Sequence, residues 1–230
     1  HKLSTICQRL ELKTTDHLLE IGTGWGGLAI YAAQHYGCKV TTTTISDAQY
    51  AYAKQRIEAL GLTEQITLLK KDYRDLTGEY DKLVSIEMIE AVGFEYLPSF
   101  FQQCNQRLKS GGKLLIQSIT IADQRFGYYK QNVDFIQRYI FPGGFLPSVT
   151  ILTQNLTQHT ELVTESIDDI GLDYAKTLAH WREAFLNSWS ELTQFGYDEK
   201  FKRLWLYYFA YCEGAFLERS TSTVHLLARK

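Results

Sequence analysis

An excess of charge of one sign is the first thing missing from this 230-residue chain: 24 Lys and Arg stand against 26 Asp and Glu, a formal charge of -2. No global basic field exists to gather nucleic acid, so none is expected as a partner, and any contact with an anionic surface has to be local. Proline is scarce, at 3 residues, and no repeat or low-complexity linker divides the sequence. The four cysteines, Cys7, Cys38, Cys104 and Cys212, form no CxxC pair. They read as free thiols of a reducing compartment, and six histidines without ligand spacing leave no metal site to expect. No apolar run approaches the roughly 20 residues that span a bilayer, and no signal-peptide core opens the chain, so the expected location is cytoplasmic. What is abundant is aromatic: 12 Phe, 15 Tyr and 4 Trp make 13% of a chain that is 45% hydrophobic, enough apolar material for one large α/β domain or two small ones.

The first half alternates short apolar strands with amphipathic helices, the pattern of a parallel sheet wrapped by crossover helices. Strands are predicted at residues 17–21, 38–43, 66–70, 82–86 and 113–119. A helical pattern at Leu3, Ile6, Cys7 and Leu10 precedes them, and further helices are predicted over 26–36, from Ser46 onward, and over 96–108 with a stop at Lys109, Ser110 and Gly111. Ser46 can cap its helix while Gln49 closes a capping box. After Ile121 the alternation breaks. Residues 122–160, which contain FPGGFLP, read as an insertion or lid over the C-terminal edge of the sheet. A strand at 161–167, helices over 174–189 and 198–218, and a last strand at 223–227 complete the chain, the last strand pairing with 161–167 at the sheet edge.

LLEIGTGWGG, residues 18–27, lies where a strand hands over to a helix. Gly22 and Gly24 let the backbone turn tightly and approach a ligand beside unpaired N–H groups of the helix start. Glu20, immediately before the glycines, suits a ligand with ammonium and sulfonium charges better than a pyrophosphate. The position about 20 residues on, where a dinucleotide fold carries a ribose-binding acid, reads TTTTIS. Both details favour S-adenosylmethionine over a nicotinamide cofactor. Gln49 is either the capping-box member or a ribose contact, and Asp72 and Tyr73 are either a turn acid and a packed ring or an adenine border. After the fourth strand, IEMIEAVGFEY places Glu87 and Glu90 three residues apart beside the crevice in which open α/β sheets bind ligands.

EIGTGWGGLAIYAA, TTISDAQ, DYRDL, VSIEMIEAVG, RYIFPGGFLPS and DDIGLDYAKTL, in this order and at this spacing, resemble the cyclopropane-fatty-acyl-phospholipid synthase family, S-adenosylmethionine-dependent fatty acid methyltransferases that include the mycolic acid cyclopropane synthases. The resemblance spans essentially the whole chain. It implies the class I methyltransferase fold, Rossmann-like, with a mostly parallel seven-stranded sheet, an antiparallel edge strand and helices on both faces. Residues 1–230 would form one catalytic domain, expected to be the C-terminal part of a longer protein because the sequence starts inside a helical pattern at His1. By position, Gly22 and Gly24, with Glu20 and Thr23, would meet the methionine part of the cofactor. Thr44 and Gln49 would reach the ribose, Tyr73 with Asp72 the adenine, and Ile86 completes the cofactor set.

Glu90 matches the family's active-site glutamate and Tyr174 its tyrosine, which help hold a bicarbonate base together with a histidine and a cysteine. The histidine's position here is Gln117, Ile119 matches a residue whose backbone carbonyl contacts bicarbonate, and the cysteine belongs to a segment N-terminal to this sequence. Gln117 removes a proton carrier and weakens the case for bicarbonate. The implied reaction is methyl transfer to the double bond of an unsaturated fatty acyl chain of a phospholipid, giving a cyclopropane or methyl-branched product. Such a substrate implies peripheral membrane contact at the inner membrane surface, and a homodimer is open. A small-molecule methyltransferase of the same fold and a non-catalytic cofactor-binding relative are the alternatives. Phe201, Lys202, Arg203 and Trp205 would grip a bilayer interface, or else Trp205, Tyr208 and Phe209 are ordinary core at helical spacing while Lys202 and Arg203 are simply solvated. The aromatics of the second half, Tyr174, Trp181, Phe185 and Trp189 among them, read as the wall of an apolar crevice.

Overall fold

Successive residues of the central strands point to opposite faces, and each face is covered by its own helices. In β1 (His17–Ile21), Leu18 faces one layer and Leu19 the other. β2 (Lys39–Thr43), β3 (Ile66–Leu69), β4 (Tyr80–Ile86) and β5 (Leu108–Ile121) run parallel to β1. β6 (Val163–Asp169) and β7 (Thr221–Arg229) complete a sheet of order β3-β2-β1-β4-β5-β7-β6. β7 is antiparallel to both neighbours, one place in from the edge that β6 forms. The computed structural model describes residues 1–230. Helices α1 (Lys2–Arg9), α2 (Gly27–Tyr36) and α3 (Asp47–Ala59) cover the face that buries Leu18, Val84, Leu115 and Leu227. On the other face, α4 (Leu97–Arg107) packs Phe100 and Phe101 against Leu19, Leu83, Leu114 and Leu226, beside α7 (Val149–His159).

Residues 122–160 form α5 (Asp123–Gln131), α6 (Phe135–Tyr139) and α7. α8 (Gly171–Asn187) and α10 (Glu199–Leu217) bury a third cluster of Ala175, Leu178, Phe209 and Phe216, with α9 (Trp189–Gln194) between them. Three boundaries differ from the sequence expectation. The expected helix over 96–108 begins after two 3-10 turns, Ile89–Ala91 and Phe94–Tyr96, with Pro98 in its first turn, where a missing N–H costs nothing. The stop at Lys109–Gly111 is instead the start of β5, because Leu108 already pairs with Tyr80 before a register shift. The expected helix over 174–189 starts at Gly171 and breaks at Ser188. All four cysteines are free, no helix is long and apolar enough to cross a membrane, and no group of His, Cys, Asp and Glu is placed to hold a metal.

Candidate active site

The strand order reverses between β1 and β4, so the loops after these two strands flank the crevice where an α/β sheet receives its ligand. After β1 the N–H groups of Gly22 and Thr23 both donate to the Thr43 carbonyl, at 3.1 and 3.0 Å. Gly22 and Gly24 have φ of 101° and 53°, the region that glycine occupies without a steric cost. A Cβ on Gly22 would lie 3.2 Å from the Met88 side chain, so the two loops pack together, whereas one on Gly24 meets nothing within 4 Å. Gly24 therefore faces open space.

Glu20 is 2% exposed and its Oε2 accepts the Thr42 hydroxyl at 2.7 Å. Thr42 in turn pairs with Thr23 at 2.7 Å. Burial pushes the Glu20 carboxyl up to about 8, with Thr42 offsetting only part of this, so the group is mostly neutral near pH 7. Through Thr42, Glu20 thus ties β1 to β2 immediately before the glycine turn. Thr44 and Gln49 come together, the Thr44 hydroxyl donating to Gln49 Oε1 at 2.9 Å. The capping box is only half formed. Ser46 Oγ accepts the Gln49 N–H at 3.3 Å, but the Ser46 N–H goes to Thr44 Oγ1 at 3.2 Å. Asp72 accepts the backbone N–H and the guanidinium of Arg74, and Tyr73 packs edge-on against Phe100 at 5.6 Å between centroids.

A cavity of about 1040 Å³ lies between the 122–160 segment and the α8–α10 pair. Tyr129, Phe141 and Phe145 line one side, Tyr174, Trp181 and Tyr208 the other, and Glu87, Glu90 and Ile119 lie where it meets the sheet. Glu90 Oε1 accepts the Ile119 N–H at 2.6 Å and the Ser118 hydroxyl at 3.1 Å, while its Oε2 is buried without a partner. Burial pushes Glu90 up to about 7; hydrogen bonds from Ile119 and Ser118 oppose this and the neighbouring Glu87 charge adds to it. The Ile119 carbonyl accepts the Ser118 hydroxyl at 3.0 Å. The Tyr174 ring stacks on Phe216 at 4.8 Å, and its hydroxyl donates to Glu87 Oε2 at 2.9 Å. Burial, and then the Glu87 charge, raises the pKa of this phenol.

The model of the mycolic acid cyclopropane synthetase family matches residues 1–226. The chain belongs to this family. It is 42% identical over 201 residues to the tuberculostearic acid methyltransferase of Mycobacterium tuberculosis, covering 87% of this chain and 47% of that protein. It is 41% identical over 219 residues to the cyclopropane-fatty-acyl-phospholipid synthase of Escherichia coli, covering 95% of this chain and 54% of the other. The chain thus spans about half the length of these curated relatives. The cyclopropane synthase MmaA2 of Mycobacterium tuberculosis superposes with a TM-score of 0.90 at 23% identity, over 100% of this chain and 83% of that one, and shares the class I methyltransferase fold.

In this cyclopropane synthetase family chain the predicted residues fall into two groups. Gly22, Gly24, Thr44 and Gln49 cluster around the ends of β1 and β2, and Glu90, Ile119 and Tyr174 around the cavity. Ile86 ends β4, pairing with Gln117 of β5 and joining the two groups. Gln117 is buried, its side-chain amide donating to Glu87 Oε1 and its Oε1 lying 3.0 Å from His225 Nε2. The sequence pointed to neither His225 nor the Glu87–Gln117 contact. One signal for His225 was available: it interrupts the apolar run of the last strand, TVHLLA.

Proposed function

We propose that this chain is the catalytic part of an S-adenosylmethionine-dependent C-methyltransferase acting on the double bond of an unsaturated acyl chain, with a phospholipid as acyl carrier and a cyclopropane or methyl-branched product. The observation that carries this reading is the aromatic cavity with carboxylates at its inner end. Tyr128 and Val133, 76% and 74% exposed, line its outer part beside the exposed Arg125. An amphipathic substrate fits this gradient: apolar rims meet a bilayer, Arg125 supplies positive charge for a lipid phosphate, and the chain runs inward to Glu87 and Glu90.

The glycine turn fits the cofactor. Gly24 leaves space at a positive φ, and the paired Thr44 and Gln49 offer hydroxyl and amide groups beside it. When bound, the cofactor supplies a methyl group on a sulfonium. The protein's part is to hold a weakly nucleophilic alkene in line with that methyl, exclude water, and stabilise the carbocation that forms on the acyl chain. The faces of Tyr174, Tyr208 and Phe145 each contribute about 0.5–2 kcal/mol toward a cation. Glu90 adds negative charge when ionised.

Bicarbonate fits less well. Its two side-chain donors, the Tyr174 hydroxyl and the Gln117 amide, are both taken by Glu87. Incubation of the full-length protein with methyl-labelled S-adenosylmethionine and vesicles of monounsaturated phosphatidylethanolamine tests the function. Label in the acyl chain is expected. Label only in soluble acceptors, or only in the headgroup, would refute it.

A further inference from the structure

We propose that Glu87 supplies the base of this reaction from the chain itself, its carboxylate occupying the place between Tyr174 and Gln117 where a free anion would otherwise be needed. The inference rests on the C-methyl transfer proposed above and adds the fate of the proton.

Three observations carry it. First, both carboxylate oxygens are aimed by donors: Oε2 by the Tyr174 hydroxyl at 2.9 Å and Oε1 by the Gln117 amide, while the Glu87 N–H donates to the Gln117 carbonyl at 2.8 Å. Secondly, the orientation of Gln117 is fixed from behind. A carboxylate only accepts, so Gln117 turns its NH₂ to Glu87 and its Oε1 to His225. His225 must then donate from Nε2, which leaves Nδ1 as a bare acceptor, and that atom is indeed buried without a partner. Thirdly, Glu87 has φ of +50°, one of only three non-glycine residues at positive φ. Such a conformation is sterically costly outside glycine, and here it directs a carboxylate into the cavity beside Glu90.

Glu90 is the weaker candidate for base. Donors reach only its Oε1, from Ile119 and Ser118, and its Oε2 is buried without a partner, so its anion lacks the two-sided support that Tyr174 and Gln117 give Glu87. Lys2, with its Nζ 3.9 Å from Glu87 Oε1, is the nearest cation and is half exposed.

The step balances without another reactant. The alkene π pair forms the bond to the transferred methyl as the C–S pair returns to sulfur. The cation then loses a proton from the new methyl or from a neighbouring carbon to Glu87, and the released C–H pair closes the ring or forms an alkene. The Glu87 proton leaves to solvent after product release.

The test is Glu87→Gly in the full-length protein, because glycine relieves the positive φ and the variant is expected to fold. Turnover of labelled cofactor into phospholipid should fall by about 10²-fold or more, the usual share of a positioned base. Added formate or bicarbonate should restore at least tenfold by filling the vacated space, about the effect of one well-placed base, while wild-type turnover in carbonate-free buffer stays the same. ¹³C-formate line broadening by cofactor-free Glu87→Gly, absent with the wild type, reads the same space without catalysis. A variant that turns over like the wild type, or one that folds, binds S-adenosylhomocysteine and is rescued by neither anion, would overturn the assignment. Failure of the wild type to label lipid would overturn the underlying function, and this inference with it.

Discussion

Replacing Glu90 by Gln should make the stability of this protein less dependent on pH, in a direction that the geometry dictates. Glu90 is held from one side only: Ile119 and Ser118 donate to Oε1, and Oε2 is buried with nothing to receive. The folded state therefore favours the protonated acid, and the group moves from 4.5 to about 7. At ~1.4 kcal/mol per unit, that displacement corresponds to about 3 kcal/mol. Between these values the folded protein keeps a proton that the unfolded chain has released, so wild-type stability falls as pH rises through the window and levels off above it. Gln presents an oxygen to the same two donors and does not titrate. Any pH-independent cost of its NH₂ cancels when the difference between the two proteins is followed with pH. Urea unfolding of both at about pH 5 and about pH 8 gives the measurement, with equal m-values confirming that only stability changed. The variant should gain about 2–3 kcal/mol on the wild type between these conditions. A difference that stays constant, or that moves the other way, would refute the assignment of Glu90 as a buried acid starved of hydrogen bonds. Glu20 slopes in the same direction but is common to both proteins and drops out.

Tyr174→Phe removes the hydroxyl on Glu87 and keeps the stack on Phe216, so turnover should fall by about 10–100-fold while stability changes by about 1–2 kcal/mol; parallel kinetics and melts separate the two. Gly24→Ala should cost about 1 kcal/mol of stability or a little more, since its Cβ meets open space, yet weaken S-adenosylhomocysteine binding by calorimetry. Gly22→Ala, forced to φ of 101° and against Met88, should lose more stability, about 1–3 kcal/mol. Phe100→Ala, which empties a fully buried site against Tyr73 and Phe101, should cost about 3–5 kcal/mol in urea.

The parallel sheet was legible because Leu18 with Leu19, and Leu114 with Leu115, are apolar on both faces, which only a covered strand requires. Gly22, Gly24 and Glu90 were legible as interruptions of that pattern at strand ends. The burial of Glu20 and its bond to Thr42 were not, because the sequence does not show which strand-end acids lie under a neighbouring strand's side chains. Nor was the Glu87–Gln117–His225 chain, since Gln117 and His225 stand 108 residues apart and meet through the register of β5 with β7. The aromatic excess divides in two. Tyr174, Trp181, Phe141 and Phe145 line the cavity, whereas Phe185, Trp205 and Phe209 pack on one another between α8 and α10. Helical spacing cannot separate Tyr174 and Trp181 from Phe185, which share α8. Lys202, expected to be merely solvated in the core alternative, lies 5.0 Å over the Trp189 ring.

The register of four strands also explains why this site has a fixed anion and a fixed donor set. Ile86, Gln117, His225 and Asp168 are successive partners across β4, β5, β7 and β6, so three polar side chains stand in one row on the face that α1 covers. At the outer end Arg9 of α1 binds Asp168. Burial, and then the charges of Arg9 and Lys2, push His225 down to about 4, against the opposing pull of Asp168. His225 is therefore neutral throughout the range in which Glu90 titrates. A charged imidazole would carry a second N–H on Nδ1 into a place with no acceptor, an orphaned donor costing about 1–3 kcal/mol. The Glu87 carboxylate, which only accepts, sets the Gln117 amide, and the Gln117 oxygen in turn selects the Nε2–H form of the neutral imidazole. The hydrogen-bonded chain runs from Glu87 in the cavity through Gln117 to His225 and ends there, since Nδ1 has no partner.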